Sequence, residues 1–190
     1  MDARCPERLP TGYPEDYPRT VRLRDGRHVL IRPIWPSDAP ELGRAIKAAD
    51  PDTLRRRFLG GPPPVTPALL SYLTEIDYQH RFALVAIDPA TGAGVAIARY
   101  EQASGGAAEI AVVVVPAWRR VGLATELIAL LAEAALAHGI STFTASYVAE
   151  NRPVAALVKE AGGLSGQVIR QGIAEFSIAL ERNRAAGQEA

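Results

Sequence analysis

Between Glu109 and Leu131 the chain reads EIAVVVVPAWRRVGLATELIALL, and the spacing of its apolar positions changes once along the way. Ile110 to Val115 is a continuous apolar run rich in β-branched residues, the pattern of a buried strand. Pro116 stops it, and a short basic turn follows at Arg119-Arg120-Val121-Gly122. From there Leu123, Leu127, Leu130, Leu131 and Ala134 recur at helical spacing until His138-Gly139 ends the helix. Upstream, Thr20–Leu23 and His28–Ile34 flank Asp25-Gly26, which predicts a hairpin. Ser37 or Asp38 can cap a helix running through Glu41, Leu42 and Ile46, and a second short helix is expected from Asp52 to Leu59. Gly60-Gly61-Pro62-Pro63-Pro64 reads as a loop, and Thr66-Pro67 opens a third helix through Leu69, Leu70 and Leu73.

The alternation over Phe82–Ile87 and Val95–Glu101 predicts two strands, joined by a turn at Asp88-Pro89-Ala90-Thr91-Gly92. Thr142–Ala149 is the next strand; Asn151 caps a helix reaching Ala161, with Pro153 tolerated in its first turn. Val168–Arg170 and Ile173–Leu180 close the chain as a hairpin around Gln171-Gly172. Early helices, a central β-α-β unit and a terminal hairpin indicate an α/β (α+β) fold, a central mixed β-sheet flanked by helices. Residues 1–18 carry Pro6, Pro10, Pro14 and Pro18 and read as an extended or disordered arm, pinned in part by Tyr13 and Tyr17. Residues 19–182 then form a single domain, and 183–190 a C-terminal tail.

Composition narrows the function classes. The 190 residues are 48% hydrophobic and 22% charged, as in an ordinary globular domain with a sizeable core. The formal net charge is +0, so no global field draws the chain to nucleic acid or to an anionic membrane, and neither partner is expected. Arg55-Arg56-Arg57 reads as a solvated helix face. No apolar stretch is long enough to span a membrane, since the helix after Gly122 carries Glu126 and Glu133. The start of the chain has no apolar signal region, and the single Cys5 cannot form an internal disulfide. The expected compartment is the cytoplasm. His28, His80 and His138 are scattered and Cys/His pairs are absent, so no metal is expected.

A strand, a basic glycine-containing turn and a helix start together make an anion site. The N–H groups of a first helical turn are free, the macrodipole is positive there, and Gly122 lets backbone approach a phosphate closely. The pattern Arg119-x-x-Gly122-x-Ala124 after a strand resembles the acyl-CoA signature R/Q-x-x-G-x-G/A of the GNAT superfamily of acetyltransferases. An acid, Glu109, begins the preceding strand, and Tyr147-Val148-Ala149-Glu150-Asn151 follows about thirty residues after the loop, as in that family. The resemblance covers roughly Val29 to Leu180.

It implies a GNAT-like fold and acetyl-CoA as cosubstrate. The pyrophosphate would lie on Arg119, Arg120, Val121, Gly122, Ala124 and Thr125. The strand end at Val113, Val114 and Val115 would run along the pantetheine arm, with an N–H near Val113 donating to the thioester oxygen, and Asn151 would contact the arm as well as capping its helix. Glu109 would be the general base for direct attack by an amine. Two departures stand out. Many relatives carry a Tyr on the helix after Asn to protonate the leaving thiolate; here the matching position is about Val158, and Tyr147 or Ser146 could take its place. Val121 stands where many relatives have a basic residue.

Arg56-Arg57-Phe58-Leu59, Leu73-Thr74-Glu75-Ile76-Asp77-Tyr78 and Ala83-Leu84-Val85-Ala86 are spaced as in the catalytic domain of bacterial protein lysine acetyltransferases, which modify a lysine of acyl-CoA synthetases. Those relatives often carry a fused regulatory domain, for which 190 residues leave no room. That resemblance implies a protein lysine as acceptor, reached through an open, partly acidic groove near Asp77, Tyr78 and the Arg55–Phe58 helix. A small-molecule amine acetyltransferase, or a catalytically weak acyl-CoA-binding regulatory module, are the alternatives.

Overall fold

In the computed structural model, residues 9–58, 64–160 and 167–181 are described. Cys5, most of the Gly60–Pro64 loop, the helix end at Ala161 and the 183–190 tail lie outside the described residues. The predicted hairpin forms from β1 (Arg19–Arg22) and β2 (His28–Pro33), its turn closed by Asp25 accepting from the Arg27 N–H at 3.1 Å. Three helices follow, α1 (Ala39–Ala48), α2 (Pro51–Phe58) and α3 (Pro67–Thr74). Next come β3 (Arg81–Ile87), β4 (Gly94–Gln102) and β5 (Ala107–Val114). The long helix α4 (Leu123–Ala137) crosses over to β6 (Thr142–Val148), and α5 (Arg152–Glu160) leads to β7 (Val168–Arg170) and β8 (Ile173–Ala179).

The eight strands among the described residues join in one sheet, ordered β1-β2-β3-β4-β5-β6-β8-β7. Every neighbouring pair is antiparallel except β5 and β6, which the α4 crossover makes parallel. Alternation along the strands decides what each face meets. Phe82, Leu84, Ala98, Tyr100, Ala108 and Ile110 point to one face and bury Leu123, Leu127, Leu130, Leu131 and Ala134 of α4. Each such leucine contributes about 1.5–3 kcal/mol by leaving water. Tyr147, Ala174 and Phe176 form a smaller cluster with Val158 of α5.

Near the other end of the sheet, buried Arg32 pairs with Asp38 through two 2.8 Å bonds and stacks over Trp35. The Asp38 carboxylate also accepts from the Trp35 N–H at 2.8 Å, closing the turn before α1. It therefore does not cap α1 by its side chain as the sequence suggested: the carboxylate is committed to Arg32 and to the preceding turn.

From Leu9 onward the leader is folded onto the core and is not a free arm. It makes two turns, Tyr13 N–H to the Pro10 carbonyl and Tyr17 N–H to the Pro14 carbonyl, both 3.1 Å. Tyr13 is buried against the rings of Trp35 and Tyr78. The Tyr17 hydroxyl donates to the Leu130 carbonyl of α4, and burial pushes its pKa up. Among the described residues no helix is long and apolar enough to cross a membrane.

Candidate active site

The parallel pair β5–β6 is short. It covers Ala107↔Thr142, Ala108↔Phe143 and Glu109↔Thr144, and there the strands part. Beyond that point β5 stays on β4 as far as Val114, and β6 stays on β8 as far as Val148, so a wedge opens between them. Which backbone groups face the wedge follows from antiparallel alternation. Val115 N–H donates to Val95 O, and Ala103 N–H to Ala107 O, so the odd-numbered residues of β5 exchange their bonds with β4. Val113 and Val115 therefore spend their N–H groups on β4, whereas Val112 and Val114 turn theirs to the wedge. Near Val113, where the resemblance implies a donor, the N–H groups that face the wedge are therefore those of Val112 and Val114.

At the wide end of the wedge lies the loop into α4. Pro116–Trp118 makes one tight turn and Trp118 is buried. Arg120 and Gly122 are left-handed, at φ 65 and 91. Gly122 is the residue before α4, no side chain caps that helix, and its carbonyl already accepts from Glu126 N–H at 3.1 Å. The N–H groups of Leu123, Ala124 and Thr125 consequently have no acceptor within the helix and point out of its positive end.

Arg119 also has a role in the scaffold. Its Nε donates to the Val114 carbonyl at 2.9 Å and its Nη2 to the Thr53 hydroxyl at 2.9 Å. Thr53 donates in turn to Asp50, whose carboxylate also accepts from the Thr53 N–H at 2.9 Å. The hydroxyl and N–H of Thr53 hold the Asp50 carboxyl below its ordinary range, with Arg119 adding to the effect. Arg119 thus straps α2 to the end of β5, and the exposed Arg120 is the loop's other cation. A third guanidinium, missed by the sequence reading, belongs to Arg24 in the β1–β2 turn. A methyl group added to Gly122 would meet its Nε at 3.3 Å.

Glu109 sits at the branch point, on the sheet face opposite α4. Register aligns Arg81, Glu101, Glu109, Thr144 and Ser177 in one row across β3, β4, β5, β6 and β8. Beside them is a cleft of about 320 Å³ lined by Glu109, Thr144, Ser146, Val168, Glu175 and Ser177 among others. Glu109 is exposed there, third in β5 rather than first, and makes no hydrogen bond or ion pair among the described residues. Its neighbour Glu101 accepts from the Tyr72 hydroxyl, a bond that, with partial burial, raises the Tyr72 pKa.

Asp77 and Tyr78, expected at a groove, do not line this cleft. Tyr78 is buried with its hydroxyl on the Ile34 carbonyl at 2.9 Å. Asp77 closes a turn by accepting from Gln79 and Arg81 N–H, both at 2.9 Å. Asn151 immediately precedes α5, its carbonyl accepting from Val154 and Ala155 N–H at 3.0 Å. Tyr147 packs in the same cluster as Val158, and its hydroxyl oxygen accepts from Gln167 at 3.0 Å. Ser146 lies on the Glu109 side. Among the described residues no group of three or more His, Cys, Asp or Glu side chains could hold a metal.

Comparison with known proteins agrees with this architecture. The family described as acetyltransferase (GNAT) domain matches residues 28–163, and the chain belongs to it. It is 36% identical over 133 residues to acetyltransferase PA5475 of Pseudomonas aeruginosa, covering 68% of this chain and 72% of that protein. It is 30% identical over 149 residues to acetyltransferase Pat of Mycolicibacterium smegmatis, covering 77% of this chain and 44% of Pat, so it spans less than half of that relative. The GNAT domain of S. lividans PAT superposes with a TM-score of 0.81 at 25% identity, over 88% of this chain and 99% of that domain. The protein is an acetyl-CoA-dependent N-acetyltransferase.

Proposed function

We propose that the protein acetylates a lysine side chain of a partner protein, such as an acyl-CoA synthetase, with Glu109 as general base. The observation that carries this reading is the position of Glu109. It is an exposed carboxylate, unpaired among the described residues, at the point where β5 and β6 part, beside a cleft that also holds Glu175. Carboxylates beside an exposed cleft suit a cationic side chain arriving from outside better than a neutral ligand. Similarity to proteins named Pat adds to the choice of a protein acceptor.

In this reading the coenzyme's diphosphate sits on the N–H groups of Gly122 to Thr125, with Arg120 and Val121 at the turn. Its arm lies in the wedge against Val112 and Val114, reaching towards Asn151. Glu109 takes a proton from the ammonium, directly or through water. The neutral nitrogen then attacks the thioester carbonyl, whose oxygen finds a donor in the wedge-facing N–H of β5. As the carbon–sulfur bond breaks, the thiolate takes a proton from the Tyr147 phenol, and the second proton of the attacking nitrogen is lost to solvent, from which the phenolate is reprotonated. That phenol fits the role because its oxygen already accepts from Gln167, leaving its own hydrogen free to donate.

The test is incubation with acetyl-CoA, purified acyl-CoA synthetases and a panel of amines, followed by mass spectrometry of the synthetases. Acetylation of one synthetase lysine, lost in Glu109→Gln, is the expected result. Fast turnover of a free polyamine or amino sugar with no protein acetylated would replace this reading by the small-amine one.

A further inference from the structure

The loop before α4 faces a ligand whose diphosphate carries about two negative charges, yet its own cations are few. Val121 is apolar, and two of the Arg119 donors are held by the Val114 carbonyl and the Thr53 hydroxyl. Further charge comes from a distant part of the chain. The β1–β2 turn docks on the loop through three contacts. Arg24 N–H donates to the Val121 carbonyl at 3.2 Å, Arg27 Nη2 donates to the Ala117 carbonyl at 3.1 Å, and the Arg27 guanidinium lies 4.1 Å over the Trp118 ring. Arg27 is also paired with Asp25 at 2.6 Å, and Leu23 at the start of the turn is buried, so the turn is fixed in place.

The Arg24 side chain, by contrast, runs along Gly122. Its Cγ, Cδ and Nε lie 3.4, 3.5 and 3.3 Å from where a β-carbon on Gly122 would be. The side chain is exposed, and among the described residues no carboxylate pairs with it. A permanent positive charge therefore sits beside the first turn of α4, where helix geometry already concentrates free N–H groups.

We propose that Arg24 is a coenzyme-binding residue whose guanidinium contacts the diphosphate at the α4 N-terminus, making the β1–β2 turn the second wall of that site. This rests on the reading that the loop holds the diphosphate. It also gives Gly122 a second reason to be glycine: a side chain there would displace Arg24 as well as strain a left-handed backbone.

The experiment is calorimetric titration of the full chain with coenzyme A and with 3′-dephospho-coenzyme A, for wild type, Arg24→Ala, Arg24→Lys and Gly122→Asp. Arg24→Ala should weaken both ligands by the same factor, about tenfold, the low end for a charged contact because the residue is exposed. Arg24→Lys should recover part of the loss, and binding by Arg24→Ala should depend less on salt. The melting temperature without ligand should not move, since the Arg24 backbone N–H that docks the turn is retained. Unchanged affinity in Arg24→Ala alongside a defective Gly122→Asp would overturn the role of Arg24 and leave the loop assignment standing. Unchanged affinity in Gly122→Asp would overturn the loop assignment, and the role of Arg24 with it. A loss confined to coenzyme A would put the guanidinium on the 3′-phosphate and overturn the diphosphate contact.

Discussion

Replacing Glu109 by Gln isolates proton acceptance from shape, because the amide keeps the volume and the exposed position of the carboxylate. A lysine with a pKa near 10.4 is neutral at pH 7 about once in 2,500, a deficit of about 4.6 kcal/mol that the enzyme must offset. A positioned base contributes about 10²–10⁴ in rate. Glu109 is exposed, so water can take over part of its work, and a loss near 10² is expected for Glu109→Gln at pH 7. Glu101 stands directly opposite on β4 and is the obvious substitute. Its carboxylate already accepts from Tyr72, so Glu101→Gln should cost less than Glu109→Gln.

The assay follows release of the coenzyme A thiol between about pH 6.5 and 9.5, with the acetyl-CoA KM measured alongside; the scale of the effect follows from the free amine fraction. The KM should stay level, and the deficit of the Gln variant should shrink as pH rises and more amine is already neutral. Equal rates for Glu109→Gln and wild type at pH 7, or a larger loss in Glu101→Gln, would refute the assignment.

Arg119→Ala removes two hydrogen bonds, so it should destabilise the α2 end of the fold by about 1–2 kcal/mol and speed amide exchange in α2. Thr53→Val should reproduce the faster exchange; if it does not, Arg119 is not holding α2. Asp77 is pushed up by partial burial, but the Arg81 and Gln79 N–H groups and His80 outweigh that and hold it below the ordinary carboxylate range. Its contribution is therefore present above the unfolded value near 3.9 and is lost as pH falls through the lower folded value. Asp77→Ala should melt lower than wild type at pH 7, and circular dichroism melts should show the two converging in acid. Tyr147→Phe should lower kcat about tenfold with the acetyl-CoA KM unchanged, a modest figure because a thiolate is a tolerable leaving group. A larger loss in Ser146→Ala would transfer the role.

The elements were legible because each has a local cause. The hairpin needs only Asp25-Gly26, α3 only Thr66-Pro67, and α4 only the leucines spaced to meet the sheet. Caps were less legible, since a cap competes with tertiary partners. Asp38 has the right chemistry for the α1 N-terminus, but a buried guanidinium six residues upstream claims its oxygens. The leader misled for a related reason. Four prolines suppress regular structure without preventing two turns and a buried Tyr13, and the pinning expected of Tyr13 and Tyr17 draws the stretch from Leu9 onto the core.

Within the site the legible part was chemical type and the illegible part was direction. Glu109 stood out as an acid ahead of an apolar run, but its parity with Glu101, Thr144 and Ser177 depends on register across four strands. The same parity separates Val113 from Val114: both read alike as valines in a buried strand, and only the Val115–Val95 bond decides which amide meets the wedge. The arginines carry the point furthest. Motif position assigns Arg119 to phosphate, yet a loop residue beside a splayed strand end has an unpaired carbonyl within reach, and a guanidinium satisfies that carbonyl and a hydroxyl on α2 together. Two of the Arg119 donors are held by neutral partners on the scaffold while its charge stays at the loop, and the turn that packs on Gly122 adds a further guanidinium, Arg24, from the first strand pair. A motif read along the chain places the backbone that meets the phosphate; the side chain that neutralises it is chosen by which turn the sheet order lays against that backbone.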